Sequence, residues 1–169
     1  MKRILKENYI YLIIIILVIL LKIFVITPVR VNGTSMTPTL KEGDIMLLNK
    51  LTFSKINRFD IVVVDYKDEE LIKRVIGLPG ERIEYKDNDL YVNGKKVKEN
   101  FTKVKDNKLN SYSIESLEHS TIPKDYYFVV GDNRPNSLDS RMIGFIHKDN
   151  IMGKASFVIF PFSRFGSKK

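Results

Sequence analysis

The chain has 169 residues and a net charge of +8, with 44% apolar and 28% charged residues. This composition excludes a disordered chain and a protein with several membrane spans. The sequence has no cysteine and two histidines, His119 and His147, which we interpret as surface residues. Disulfides and thiol nucleophiles are therefore excluded. With two histidines, a histidine-based catalytic triad or a histidine-rich metal site is disfavoured.

The amino-terminal part is almost continuously apolar over residues 9–29 (YIYLIIIILVILLKIFVITPV). About 20 helical residues cover the ~30 Å hydrocarbon core of a bilayer, so this stretch predicts one transmembrane helix. Lys22 is tolerable near its carboxyl end because its long stem can carry the ammonium to the head groups. A cleaved secretory signal is the alternative, but its apolar region is typically about 7 to 15 residues and precedes small residues.

Basic residues precede the apolar stretch, at Lys2, Arg3 and Lys6. Because positive flanks stay in the cytoplasm, we expect residues 1–8 inside the cell and a folded part, residues 30–169, outside the cell membrane. Basic and acidic residues alternate in that folded part, which argues against a nucleic-acid partner.

The folded part consists of short runs rich in Val, Ile, Tyr and Phe between Gly, Pro and Asn-Asp punctuation, which predicts a mainly β domain. The pair Asn93-Gly94 is typical of a two-residue hairpin turn. Residues 99–120 are polar and without pattern, and we expect a surface excursion or an inserted ribbon there. The candidate strands are Ile45–Asn49, Phe59–Asp65, Leu71–Ile76, Arg82–Tyr85, Leu90–Val92, Lys96–Lys98, Tyr126–Val130, Gly144–His147 and Ala155–Phe160.

The first candidate for chemistry is Ser35, in the run GTSMTPTL. Gly33 permits unusual backbone angles and Pro38 rigidifies the exit, so the hydroxyl can be held in a fixed, exposed turn. A serine beside Gly and Pro is more often only a turn residue. Ser35 nevertheless follows the predicted span by six residues, or about 20 Å of extended chain, and must lie near the membrane surface.

A serine nucleophile needs a base, and with histidine nearly absent the candidates are lysine and carboxylate. Lys73 shares a predicted strand face with Leu71 and Val75, and burial among apolar side chains lowers the pKa of a lysine. At the reference pKa of ~10.4 only about one lysine in 2,500 is neutral at pH 7; burial and the charge of Arg74 could lower it by ~3 units. The alternative is an edge-strand lysine that reaches into solvent.

A dense polar run, GDNRPNSLDSRMIG, occupies residues 131–144 directly after an apolar strand. Its Asp, Asn and Arg residues either only cap turns and tie the loop down, or position a neighbouring base. The pattern alone leaves both interpretations open.

Taken in order, these segments resemble the bacterial type I signal peptidases: the apolar stretch, then GTSMTPTL, RFDIVVV, KRVIGLPGE with DLYVNG, and GDNRPNSLDSRMIG. The resemblance spans nearly the whole chain. It implies a mainly antiparallel β domain docked against the membrane. It also implies a membrane-bound serine endopeptidase that removes signal peptides from exported preproteins, with membrane lipid and preproteins as partners and no cofactor or metal.

The resemblance assigns roles to single residues. It implies that Ser35 is the nucleophile, with its backbone NH as the oxyanion donor, and that Lys73 is the general base. Ser137 matches a serine that hydrogen-bonds and orients the lysine, and Asp139 and Arg141 match a pair that braces the site.

Further positions follow from the same motifs. Asp132 and Arg134 are expected to shape the loop, and Met36 and Ile143 to line substrate pockets for small side chains. Gly33 stands where many Gram-negative relatives carry a serine that adds a hydroxyl to the oxyanion hole. The Gram-positive type is therefore the better match, and the second oxyanion donor stays unassigned.

Two other functions share these features. One is a self-cleaving Ser-Lys protease, but that class joins the dyad to a DNA-binding domain for which this chain has no room, and Ala155 is the single alanine. The other is a membrane-anchored, non-enzymatic peptide-binding module, whose function would survive Ser35→Ala.

Overall fold

The computed structural model describes residues 9–19, 26–50, 55–105 and 121–168. A helix, α1, covers residues 9–19. The other elements, in chain order, are β1 (Ile26–Arg30), β2 (Ile45–Asn49), β3 (Ile61–Tyr66), β4 (Glu69–Gly77), β5 (Ile83–Lys86), β6 (Asp89–Val92), β7 (Lys95–Val97), β8 (Tyr126–Val130), α2 (Ser140–Ile143), β9 (Ile146–His147), β10 (Ile151–Phe160) and β11 (Gly166–Ser167), with 3₁₀ turns at Lys148–Asn150 and Phe162–Arg164.

The strands form two antiparallel sheets. The main sheet has the order β1-β2-β10-β3-β4-β8-β9, with β11 paired to β10, and the second sheet has the order β5-β6-β7. The pairing within the named strands is antiparallel throughout. The predicted mainly antiparallel β domain is therefore confirmed.

Strand β4 lies at the centre of the main sheet and is buried from Ile72 to Gly77. Its side chains reach three apolar clusters: Ile72 contributes to the first, Ile76 to the second and Val75 to the third. A strand covered on both faces is apolar almost continuously rather than at alternate positions. Lys73 and Arg74 are the two charged residues in this buried run, and each therefore needs a polar partner.

The second sheet packs on the main sheet through one cluster. Ile83, Tyr85, Leu90 and Val92 meet Ile76, Ile122, Phe128 and Val130 there. The hairpin predicted at Asn93-Gly94 is confirmed, because both residues have positive φ (51° and 75°) and join β6 to β7.

Two predicted strand boundaries are wrong for reasons of backbone conformation. Phe59 has a φ of 74°, so β3 begins two residues later, at Ile61. Gly144, with a φ of 84°, ends helix α2, so β9 begins at Ile146.

The predicted transmembrane helix is too long at its carboxyl end, because Ile26–Arg30 form a strand paired with β2. Pro28 lacks an amide hydrogen and disfavours a helix interior, whereas an outer strand tolerates it. Lys22 lies outside the described residues. Within the described ranges, no helix is long and apolar enough to cross a membrane.

The predicted excursion at residues 99–120 is described as far as residue 105. This part packs against the folded domain, since the Val104 amide donates to the Asp132 carbonyl at 2.9 Å. Residues 106–120, including His119, lie outside the described residues. His147 lies in β9, partly exposed, with its ring 4.9 Å from the Tyr126 ring.

Gly77 gives a direct test of how the two sheets pack. A Cβ at this position would collide with Ile122 Cδ1 and lie 2.7 Å from Ile83 Cγ1 and 3.0 Å from Phe128 Cβ. We expect Gly77→Ala to lower the free energy of unfolding by about 1–3 kcal/mol through overpacking. Urea denaturation of the full chain measures it.

Ile122→Val supplies the matched control, because it removes the Cδ1 atom that the new methyl group meets first. Alone it should cost about 0.5–1.5 kcal/mol. Combined with Gly77→Ala, the total should fall below the sum of the two single losses. Strictly additive losses would contradict the packing described for Gly77.

Candidate active site

Ser35 lies in a turn between β1 and β2 whose neighbours are anchored in the core. Met36 and Leu40 are 1% and 0% exposed, and the Leu40 amide donates to the Met36 carbonyl at 2.9 Å. Gly33 has a φ of +78°, which lets the chain turn away from the strand before the serine. The turn therefore leaves Ser35 partly exposed while its neighbours fix the backbone.

Lys73 extends from β4 toward that serine. Its Nζ donates to Ser35 Oγ at 2.9 Å and to the Ile72 carbonyl at 3.0 Å. The residue is only 3% exposed, so the alternative of a lysine that reaches into solvent is wrong. Sequence reasoning thus identified two side chains, far apart in the chain, that the fold brings into hydrogen-bond contact.

Burial lowers the pKa of Lys73 to about 8, against the opposing effect of the Asp139 charge, which raises it. About one amine in ten is then neutral at pH 7, compared with one in about 2,500 for an ordinary lysine. Arg74, which we expected to help lower this pKa, instead forms an ion pair with Asp132. The desolvation of the amine is therefore the main cause of the lowered pKa.

Ser137 does not make the hydrogen bond that the resemblance implies. Its Oγ is buried and has no hydrogen-bond partner among the described residues, while Lys73 uses the Ile72 carbonyl instead. The hydroxyl packs against Gly131, where a Cβ would collide with Ser137 Oγ and with the Ser35 carbonyl. Ser137 therefore lies beside the site but is not a hydrogen-bond partner of the lysine.

Two asparagines of the polar loop hold the turn that contains Ser35. The Asn133 amide donates to the Ser35 carbonyl at 2.9 Å, and Asn133 Nδ2 donates to the Thr34 carbonyl at 3.1 Å. Asn136 Nδ2 donates to Thr34 Oγ1 at 3.1 Å. Sequence reasoning missed both asparagines, although they lie inside the polar run that it singled out.

Asp139 and Arg141 form the expected brace. Arg141 donates to both carboxylate oxygens of Asp139 at 2.8 Å, and Asp139 also accepts from the Gly131 amide at 3.0 Å. Asp139 in addition caps helix α2, because its carboxylate accepts from the Arg141 amide. The Asp139 carboxylate thus joins Gly131 at the start of the loop to helix α2 at its end. It also lies close enough to raise the pKa of Lys73.

Asp132 joins the strand that carries Lys73 to the turn that carries Ser35. Arg74 donates to its two oxygens at 2.8 and 2.6 Å, and Thr39 Oγ1 donates to Oδ2 at 2.5 Å. The side chains of Arg74 and Asp132 are both 0% exposed. Thr39, which sequence reasoning missed, links this ion pair to the turn that contains Ser35.

Arg134 points away from Lys73. Its Nη1 donates to the Tyr85 hydroxyl at 2.8 Å and its Nη2 to Glu99 Oε1 at 2.5 Å. Arg134 therefore shapes the loop, as expected, but does so by attaching it to the second sheet.

A groove of about 380 Å³ lies beside Ser35 and Lys73, lined by residues 32–35, residues 69–73, Asn136 and Leu138. β8 pairs with β4 from Arg74 onward, so among the described strands none covers the other edge of residues 69–73. The groove thus has an open strand edge along one side.

Neither predicted pocket residue lines this groove. Met36 is wrong for that role because its side chain faces the first apolar cluster, where it anchors the turn. Ile143 packs against the third cluster instead.

Comparisons with known proteins agree on one family. The family model described as "Signal peptidase, peptidase S26" matches residues 3–160. Signal peptidase I of Bacillus caldolyticus is 43% identical over 155 residues, covering 86% of this chain and 85% of the relative. Signal peptidase I V of Bacillus subtilis (strain 168) is 46% identical over 152 residues, covering 84% and 90%. Signal peptidase IB of Staphylococcus aureus is 39% identical over 156 residues, covering 84% and 82%.

A solved structure is similar as well. The crystal structure of a signal peptidase I from Enterococcus faecalis V583 matches with a TM-score of 0.52 and 37% sequence identity. The match covers 59% of this chain and 96% of that chain.

The buried ion pair at Asp132 can be compared with an exposed one. Asp132→Ala leaves Arg74 charged and unpaired in the interior, and we expect it to lower the free energy of unfolding by about 3–5 kcal/mol. Asp89→Ala, which removes the exposed pair with Lys96, should cost no more than about 1 kcal/mol. Urea denaturation of both variants measures the difference, and equal losses would rule out a central role for Asp132.

Proposed function

Since the chain belongs to the signal peptidase family, peptidase S26, we propose that Ser35 and Lys73 are the catalytic dyad with which it removes signal peptides. The activity itself, that of a serine endopeptidase acting on the signal peptides of exported preproteins, follows from the family and its named relatives. The observation that carries the proposed dyad is the 2.9 Å contact between Ser35 Oγ and a desolvated Lys73 amine.

The proposed reaction is acyl transfer. Neutral Lys73 accepts the hydroxyl proton of Ser35, whose oxygen attacks the scissile carbonyl, and the proton then passes to the leaving amine. Water then attacks the acyl-enzyme and gives a proton to Lys73, and that proton passes to Ser35 Oγ as the bond to the acyl carbon breaks. A pKa of about 8 suits this double role, because a base near the working pH can both take a proton and return it.

The oxyanion of the tetrahedral intermediate needs a fixed donor, for which we propose the backbone NH of Ser35. Asn133 Nδ2 donates to the Thr34 carbonyl, which belongs to the same peptide unit as that NH, and thereby helps to fix its orientation. Asp139 and Arg141 hold the loop that provides this contact.

The substrate is proposed to bind in extended form along the open edge of residues 69–73. An unpaired strand edge offers alternating backbone donors and acceptors to an added strand, and side chains then alternate between the groove and solvent. The edge leads directly to Lys73 and so presents a scissile carbonyl to Ser35. Small residues at the cleavage site fit the close approach of backbone that this requires.

Membrane attachment is proposed for the apolar residues 9–25, with residues 1–8 in the cytoplasm and the catalytic domain outside. All side chains of α1 are apolar or aromatic, and Tyr9 to Ile19 are each 47% to 65% exposed in the described structure. A helix that is hydrophobic all round belongs in lipid or in a protein core, and the exposure favours lipid.

The dyad is tested by removing each group singly. We expect Ser35→Ala and Lys73→Met to lower the cleavage of an exported precursor by roughly 10⁴-fold or more, because nucleophile and base act as a unit. Lys67→Met, on the turn between β3 and β4, is the matched control and should cleave like the wild type. The shortened product is followed in detergent solution. Wild-type cleavage by the Ser35 variant would instead exclude the serine mechanism.

The pH dependence tests the protonation state of Lys73. Below a pKa of about 8 the amine is increasingly protonated and cannot accept the serine proton, so kcat/KM should fall about tenfold per pH unit. Above that pH the profile should level off. A rate that stays constant from pH 8 down to pH 6 would show that a different group acts as the base.

A further inference from the structure

Three buried polar side chains connect the second sheet to the active-site loop. Arg134 donates to the Tyr85 hydroxyl at 2.8 Å and to Glu99 Oε1 at 2.5 Å, and the Tyr85 hydroxyl donates to the same carboxylate oxygen at 3.1 Å. The other carboxylate oxygen of Glu99 pairs with Lys103. Each member of the triangle thus contacts both of the others.

This triangle is closed to solvent. The side chains of Arg134 and Glu99 are 0% and 4% exposed, and Tyr85 is 6% exposed. Burial raises the pKa of Tyr85 above its ordinary value, so the hydroxyl keeps the proton that it donates to Glu99. Arg134 Nε is buried with no hydrogen-bond partner among the described residues. Among the described residues, the guanidinium therefore depends on Tyr85 and Glu99 for its hydrogen bonds.

Arg134 anchors the middle of the loop, residues 132–139, in the protein interior. Between Asp132 and Asp139 it is the one buried residue, because Pro135, Asn136 and Leu138 are exposed and the others are intermediate. It follows Asn133, whose amide holds the Ser35 carbonyl. The ends of the loop are fixed by ion pairs to Arg74 and Arg141, and Arg134 attaches its middle to Tyr85 and Glu99.

We propose that Glu99 and Tyr85 are positioning residues of the peptidase reaction, acting through Arg134 on the loop that holds Ser35 and presents Asp139 to Lys73. This inference rests on the proposed dyad and deepens it. It gives the second sheet a role in catalysis although none of its residues lines the groove at Ser35.

The loop transmits the effect by two routes. Movement of Asn133 loosens the hydrogen bond to the Ser35 carbonyl, and misplacement of a reacting group by ~1 Å can cost up to about 10²-fold in rate. Movement of Asp139 away from Lys73 weakens the charge that raises the pKa of the amine, so this pKa falls further. A purely structural role for the triangle would produce neither change in the enzyme that remains folded.

The test compares Glu99→Ala, Glu99→Gln and Tyr85→Phe in the full-length enzyme, with kcat, KM and the pH profile measured on one precursor peptide. We expect Glu99→Ala to lower kcat about tenfold or more with little change in KM, and to move the acid limb to lower pH. Glu99→Gln should recover part of kcat, because its amide oxygen still accepts from Arg134 and Tyr85. Tyr85→Phe keeps the ring and should show a smaller loss of kcat in the same direction.

Two controls separate the possible failures. Asp89→Ala changes an exposed charge on the second sheet without touching the triangle, and should keep wild-type kcat and KM. Ser35→Ala sets the inactive baseline, and cleavage by that variant would refute the proposed dyad itself. With Ser35→Ala inactive, a folded Glu99→Ala variant with wild-type kcat and acid limb overturns the inference, even if its melting temperature falls. Should Glu99→Ala fail to fold, an unchanged kcat and acid limb in Tyr85→Phe overturns it.

Discussion

The site depends on one constraint, the burial of an amine that must still reach a partly exposed hydroxyl. Lys73 lies on a strand that is buried on both faces, and this environment disfavours its charged form. The nearby Asp139 carboxylate opposes the effect and keeps the pKa near 8 rather than lower. Desolvation lowers the pKa of Lys73 and the Asp139 charge raises it, and together they leave the amine partly neutral at physiological pH.

The polar loop that contains Asp139 is the second requirement, because it sets both the charge near the amine and the geometry of the nucleophile turn. Its two bidentate ion pairs, Arg74 with Asp132 and Arg141 with Asp139, are buried and well satisfied. Buried pairs of this kind contribute little net stability, but removal of one partner is strongly destabilising, and they fix geometry. Their arrangement around Ser35 is therefore better explained by positioning than by stability.

The sequence was sufficient for the parts that depend on local patterns and motif order. Alternating apolar runs predicted the antiparallel sheets, Asn93-Gly94 predicted the hairpin, and the motifs predicted the Ser35 and Lys73 pair. The sequence was not sufficient where tertiary contacts determine the position of a side chain. Nothing local distinguishes Met36 as a core anchor from a pocket residue, and the contact of Asn133 with the Ser35 carbonyl spans almost a hundred residues. The hydrogen bond expected from Ser137 fails because the loop packs its hydroxyl against Gly131.

Strand register explains why the adjacent cations Lys73 and Arg74 contact different groups. Lys73 pairs with Val62 and contacts Ser35, whereas Arg74 pairs with Ile61 and contacts Asp132. Because successive side chains of a strand point to opposite faces, a shift of one residue that puts Arg74 in the place of Lys73 would bring the guanidinium to the serine. An arginine stays protonated at any working pH and cannot accept the serine proton. The antiparallel pairing of β3 and β4 therefore determines which of the two cations contacts Ser35.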